Sequence, residues 1–131
     1  MSEIKYHMVD AAPTPVAPFS HATETDGLVF LTGQMPTDPN DDSVPLPEGV
    51  EAQTRRVMDN LNLVLEGLNL GLDDVVSVRV FITEFKRDYY LMNAVYRSYF
   101  PFQKLPARTC VGVTGLALEA LVEIDLIARR K

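Results

Sequence analysis

Between Val75 and Thr83 the chain alternates without a break. Val76, Val78, Val80 and Ile82 fall on one side of an extended backbone; Ser77, Arg79, Phe81 and Thr83 fall on the other. A period of two with β-branched residues specifies a strand. Its first side is wholly apolar and needs a cover. Its second side is mixed, neither plain core nor plain solvent. A chain built around such a strand folds as a sheet with unlike faces.

The cover comes from two amphipathic segments. Val57, Leu61, Val64, Leu65 and Leu68 lie at offsets 0, 4, 7, 8 and 11, one apolar stripe of a helix. Glu51, Arg55, Asn62 and Glu66 lie off the stripe. This helix is expected from near Glu48 to near Asn69, where Asn tolerates the left-handed conformation and Gly71 follows. A second helix is expected from Asp88 to Phe100, with Tyr89, Met92, Val95, Tyr96 and Tyr99 at near-helical spacing and Pro101 stopping it. Its aromatic stripe reads as core rather than as a cofactor box.

The remaining strands are shorter. Ile4 to Val9 reads as an edge strand. Pro13, Pro15 and Pro18 then make an extended connection. Asp26-Gly27 supplies the positive φ values of a two-residue turn, so Ser20–Thr25 pairs with Leu28–Thr32, and Gly33 to Pro36 ends that strand. Pro39 to Gly49 is an acidic loop without calcium-loop spacing. Ala107–Val113 puts Arg108, Cys110 and Gly112 on one face. Leu121–Ala128 puts Val122, Ile124 and Leu126 on one face and Glu123 and Asp125 on the other. The resulting order is strand, hairpin, helix, strand, helix, strand, strand. That is an α/β chain with a mixed six-stranded sheet and two helices packed on one face. The second face must meet solvent or another subunit. With 131 residues and 47% hydrophobic content, residues 1–131 suit one domain that folds without disulfide or metal.

The net charge of −6 repels a polyanion, which argues against nucleic acid or an anionic membrane as partner. Arg129, Arg130 and Lys131 form the only basic cluster and read as a solvated tail. The single cysteine, Cys110, excludes an intramolecular disulfide. No basic-then-apolar leader and no membrane-length apolar run is visible, so a cytoplasmic protein is expected. His7 and His21 have no ligand-spaced partners, and no phosphate loop or nucleophile elbow occurs. Neither metal nor cofactor is expected. Cys110, within an apolar strand, reads as a small core residue rather than a nucleophile.

Arg108 stands out. An Arg between apolar neighbours on a strand must reach solvent or find an anion. One reading is an internal ion pair to Glu123 or Asp125 on a neighbouring strand. The other is a carboxylate receptor, since the guanidinium fork matches a carboxylate bidentately.

Several segments in register resemble the RidA (YjgF) family of enamine/imine deaminases. They are Pro18-Phe19-Ser20-His21-Ala22, Thr32-Gly33-Gln34, the helix segment Gln53 to Leu65 with Asn60, Met92-Asn93-Ala94-Val95-Tyr96 with Tyr99-Phe100, Pro106-Ala107-Arg108-Thr109-Cys110-Val111, and Val122-Glu123-Ile124. The resemblance spans nearly the whole chain. It implies a chorismate-mutase-like fold and a homotrimer with clefts between subunits. It also implies hydrolysis of 2-enamino and 2-imino acids, such as 2-aminoacrylate, to 2-keto acids and ammonia. That is an activity of the 2-iminobutanoate/2-iminopropanoate type. Carried over by position, Arg108 would grip the substrate carboxylate. Backbone groups at Gly33 and Cys110 would hold substrate and water. Glu123 would orient the water or shuttle a proton, and Asn93 and Thr32 would line or brace the cleft. Phe19 would line it too, where the family archetype has Tyr. The turn at Leu116-Ala117 also departs from the family's Leu-Pro. The alternatives on the same scaffold are a non-catalytic trimeric binder of small carboxylates, and a ribonuclease or translation inhibitor.

Overall fold

The computed structural model describes residues 3–131. It contains a six-stranded sheet in the order β1-β2-β3-β6-β4-β5. The strands are β1 (Lys5–His7), β2 (Ala22–Thr25), β3 (Leu28–Gln34), β4 (Val75–Ile82), β5 (Ala107–Gly112) and β6 (Val122–Arg129). The helices are α1 (Val50–Gly67) and α2 (Phe85–Arg97). All neighbouring pairs are antiparallel except β4 and β5. The expected mixed sheet with two helices on one face is thus the observed one.

One core lies between the helices and the sheet. Val29, Leu31, Val78, Val80, Ile82, Val122, Ile124 and Leu126 meet Val57, Leu61, Val64 and Leu65 of α1 and Met92 of α2, all buried. Each fully buried side chain of this size contributes about 1.5–3 kcal/mol. The hairpin turn has Asp26 at φ 52° and Gly27 at φ 78°, both positive as a primed turn requires. Asn69, at φ 60°, reverses the chain after α1.

Several expectations need correction. Val76 is 43% exposed and off the apolar face. Val75 pairs with Ala128 but Ser77 pairs with Ile127, so a bulge at Val76 takes one residue out of the alternation. Helix α2 starts at Phe85, three positions before Asp88, because Phe85 stacks on Tyr89 at 4.8 Å and packs on Gly112. It ends at Arg97, and Tyr99 lies beyond it, its hydroxyl donating to Asp59 Oδ1 at 2.8 Å. β1 is shorter than Ile4–Val9, and β3 continues through Gly33 to Gln34.

The basic C-terminal cluster is not a free tail. Arg130 grips Glu24 through Nε (3.1 Å) and Nη2 (2.9 Å) and donates to the Leu68 carbonyl. Lys131 reaches Asp74 at 3.4 Å. The Arg130 guanidinium, with a smaller part from His7 at 2.9 Å, lowers the Glu24 carboxyl from 4.5 to about 2. His21 is a buried brace. Its Nδ1 accepts from the Val9 N–H at 2.8 Å, and its Nε2 lies 2.7 Å from the Pro13 carbonyl. No helix among the described residues is long and apolar enough to cross a membrane.

Candidate active site

The last two strands are not neighbours. The β4-α2-β5 unit is a crossover, which pairs β5 with β4 in parallel. β6 occupies the other side of β4. Arg108 is level with Val78, and Val78 with Leu126, so Arg108 projects toward the helices. Cys110, level with the buried Val80, does the same. Glu123 is level with Phe81, and Phe81 with Val111, so Glu123 projects from the opposite, helix-free face. Arg108 and Cys110 therefore do not converge with Glu123 within one chain, and the internal ion pair of Arg108 with Glu123 does not form. Strand order and register parity both separate them.

Two groups result. At the β5 edge, Arg108 Nη1 donates to Asn93 Oδ1 at 2.7 Å. The guanidinium carbon lies 4.9 Å from the centre of the Tyr96 ring. No carboxylate among the described residues pairs with Arg108. Asp125, one of the two candidates, is held bidentately by Arg79 at 3.0 and 2.6 Å. Burial pushes the Cys110 thiol above its ordinary value, against the pull of the Arg108 charge. A protonated, half-buried thiol is a poor nucleophile.

On the open face, the carboxylate of Glu123 lies directly over Gly33. A Cβ at Gly33 would overlap Glu123 Oε2, so this approach requires glycine. A bulge brings them together: β3 spends three steps from Leu31 to Gln34 where β6 spends two. Asn60 of α1 holds the segment that follows, donating through Nδ2 to the Met35 and Thr37 carbonyls at 2.9 Å each. The Thr32 N–H donates to the His21 carbonyl at 3.0 Å. Phe19 and Thr32 line one shallow groove with Tyr6 and Phe30, and Phe19 and Gly33 line another. Burial raises the Glu123 carboxyl above its ordinary range, and the nearby Asp125 charge adds to this. Such a group holds a proton more readily than a surface carboxyl and suits acid–base work.

The seven residues singled out from sequence thus divide into Arg108, Cys110 and Asn93 on one face and Phe19, Thr32, Gly33 and Glu123 on the other. The helical spacing of the aromatic stripe reads Tyr96 as core alone, although it stands three positions after Asn93, on the same helix face. Arg79 lay on the mixed face without a role; it neutralises Asp125. Among the described residues no cluster of His, Cys, Asp or Glu could hold a metal ion.

A family model described as endoribonuclease L-PSP matches residues 9–130. The 3-aminoacrylate deaminase RutC of Acinetobacter baylyi is 36% identical over 119 residues, covering 91% of this chain and 92% of that protein. The E. coli yjgF gene product superposes with a TM-score of 0.87 at 29% identity, over 97% of this chain and 99% of that one. E. coli TdcF, solved with bound serine, gives a TM-score of 0.86 at 28% identity, over 95% and 99%. Likeness of this extent, in sequence and in three dimensions, leaves one conclusion: the chain belongs to the RidA (YjgF) family that the endoribonuclease L-PSP model describes.

Proposed function

We propose that this protein hydrolyses 2-imino acids, and the enamines that tautomerise to them, in clefts each completed by a second copy of the chain. The observation that carries the proposal is Arg108, a half-buried guanidinium with no anionic partner among the described residues and one N–H edge uncommitted. That edge suits a carboxylate. Two relatives make the reading coherent: one is named for deaminating 3-aminoacrylate, the other was solved with serine bound. Both ligands carry a carboxylate and an amino nitrogen.

The reaction is R–C(=NH)–COO⁻ + H2O → R–CO–COO⁻ + NH3. The imine carbon is already electrophilic, so the protein's task is to bind, orient and move protons. Arg108 holds the carboxylate, with backbone groups at Cys110 beside it. Glu123 protonates the enamine carbon or the imine nitrogen and then orients the attacking water over Gly33. Thr32 and Phe19 close the cleft, and Asn93 braces Arg108. Positioning of this kind supplies several kcal/mol of the barrier. No cofactor enters the scheme.

Because Arg108 and Glu123 leave opposite faces of one sheet, a complete site draws on two chains. The open face offers exposed Leu28, Phe30, Val76 and Val111 for that contact. The family resemblance favours three copies in the cytoplasm, near the pyridoxal-phosphate enzymes that release such enamines. Sedimentation should give about three times 14.6 kDa; a monomer at micromolar concentration would remove the second half of every site. The activity test generates 2-aminoacrylate with a serine dehydratase and follows pyruvate. The protein should accelerate its appearance, and an unchanged rate would refute the proposal. The family model's description names a second activity, RNA cleavage. The net charge of −6 opposes it, and an RNA substrate in the same preparation should remain intact.

A further inference from the structure

We propose that Tyr96 is a positioning residue, whose ring face and the Asn93 amide together hold the Arg108 guanidinium with its Nε–Nη2 edge left for a carboxylate. The inference rests on the reading of Arg108 as a carboxylate receptor.

Arg108 stands on β5, the edge strand, at the end of a flexible stem. Left alone, such a side chain spreads over many rotamers and must be ordered each time it binds. Two contacts restrain it. Asn93 Oδ1 accepts from Nη1 at 2.7 Å, and the Tyr96 ring lies 4.9 Å from the guanidinium carbon. A cation in this position is attracted to the ring quadrupole. Asn93 and Tyr96 are three positions apart on α2, so one helix face presents both restraints. The edge left over is the one that Arg79 uses on Asp125, through Nε and Nη2. The fold therefore contains its own example of what that edge binds.

Tyr96 cannot swing away. It is 5% exposed, and its ring packs on Phe100 at 5.0 Å between centroids. Its hydroxyl has no hydrogen-bond partner among the described residues. Burial pushes the phenol up to about 12, so it stays neutral. The ring, not the hydroxyl, is what Arg108 uses.

The test compares the parent with Tyr96→Phe and Tyr96→Leu. Calorimetric titration with 2-oxopropanoate reads affinity, and the Arg108 Nε–H resonance reads the guanidinium directly. Tyr96→Leu should weaken 2-oxopropanoate binding about 3- to 30-fold, the span of a cation–π contact from exposed to desolvated. Tyr96→Phe should bind within about 2-fold of the parent. The Nε–H signal should be shifted upfield by the ring in the parent and in Tyr96→Phe, and should lose that shift in Tyr96→Leu. Purely structural packing would lower the melting temperature without this pattern. Parent-like affinity in Tyr96→Leu, or an unshifted Nε–H signal in the parent, overturns the proposal. If Tyr96→Leu does not fold, the parent and Tyr96→Phe signals decide it in the same two directions. Binding rather than turnover is measured, so a parent that binds 2-oxopropanoate yet hydrolyses no imine refutes the deaminase reading alone. A parent that binds no 2-oxopropanoate overturns both.

Discussion

Replacing Arg108 separates the cost of folding from the cost of binding. In the folded chain Arg108 makes one hydrogen bond, to Asn93, and one ring contact, to Tyr96. A hydrogen bond to a charged group contributes about 1.5–3 kcal/mol. Removing a half-buried charge without an anionic partner returns a similar amount. Arg108→Ala should therefore change stability by only about 1 kcal/mol, moving the melting temperature by roughly 3 to 5 °C. Binding is a different matter. A carboxylate on the Nε–Nη2 edge accepts two N–H bonds inside a cleft, and truncating one member of such a pair costs about 2–5 kcal/mol. That corresponds to a loss of about 30- to 4000-fold in the hydrolysis of 2-aminoacrylate. Arg108→Lys should lose nearly as much, because an ammonium has no fork with which to serve Asn93 and a carboxylate at once. The coupled serine dehydratase assay reads the rate, and a melting curve with and without 2-oxopropanoate reads binding. At 100 times the parent's dissociation constant the keto acid should stabilise the parent by about 2.7 kcal/mol and both variants by less than about 1 kcal/mol. A folded Arg108→Ala that works at the parent rate refutes the receptor role. An Arg108→Ala that fails to fold shows that the residue belongs to the structure instead.

Gly33→Ala should fold with a melting temperature near the parent's, since the overlapping atom is the mobile end of Glu123; displacing that carboxylate by about 1 Å should lower kcat on the order of 100-fold, and an unchanged kcat would detach Glu123 from the chemistry. Cys110→Ala should keep activity within a few-fold, because the thiol is protonated and its contribution is through the backbone; a loss of orders of magnitude in a folded protein would make the thiol a reactant. Glu24 has its folded value lowered to about 2 from 4.5. Its stabilisation is therefore complete above about pH 4.5 and disappears as pH falls from there toward 2. After allowance for solvent screening this is about 1 kcal/mol, and acid titrations of Arg130→Ala should lack it.

Legibility in the sequence followed the range of the interactions. Local devices were plain: the α1 stripe, the Asp26-Gly27 turn and the Asn69 reversal each depend on residues within one or two turns. What depends on a partner strand was not. The bulge at Val76 exists only against β6, so the alternation of Val75–Thr83 concealed it. The tail at Arg130 appeared solvated because Glu24, its partner, lies 106 positions away. The site residues carried a readable signature by type and neighbourhood. Their division between two faces did not, since it turns on β4 standing between β5 and β6.

That strand order also sets a schedule. β6, the last described strand to leave the ribosome, is the one that lies between β3 and β4 in the finished sheet. Until it arrives, the β1–β3 meander with α1 and the β4-α2-β5 crossover are two fragments with no ladder between them. Each holds half of an apolar layer open to water. The last of the described strands is therefore inserted between two others rather than added at an edge, and both fragments keep apolar surface exposed until it pairs.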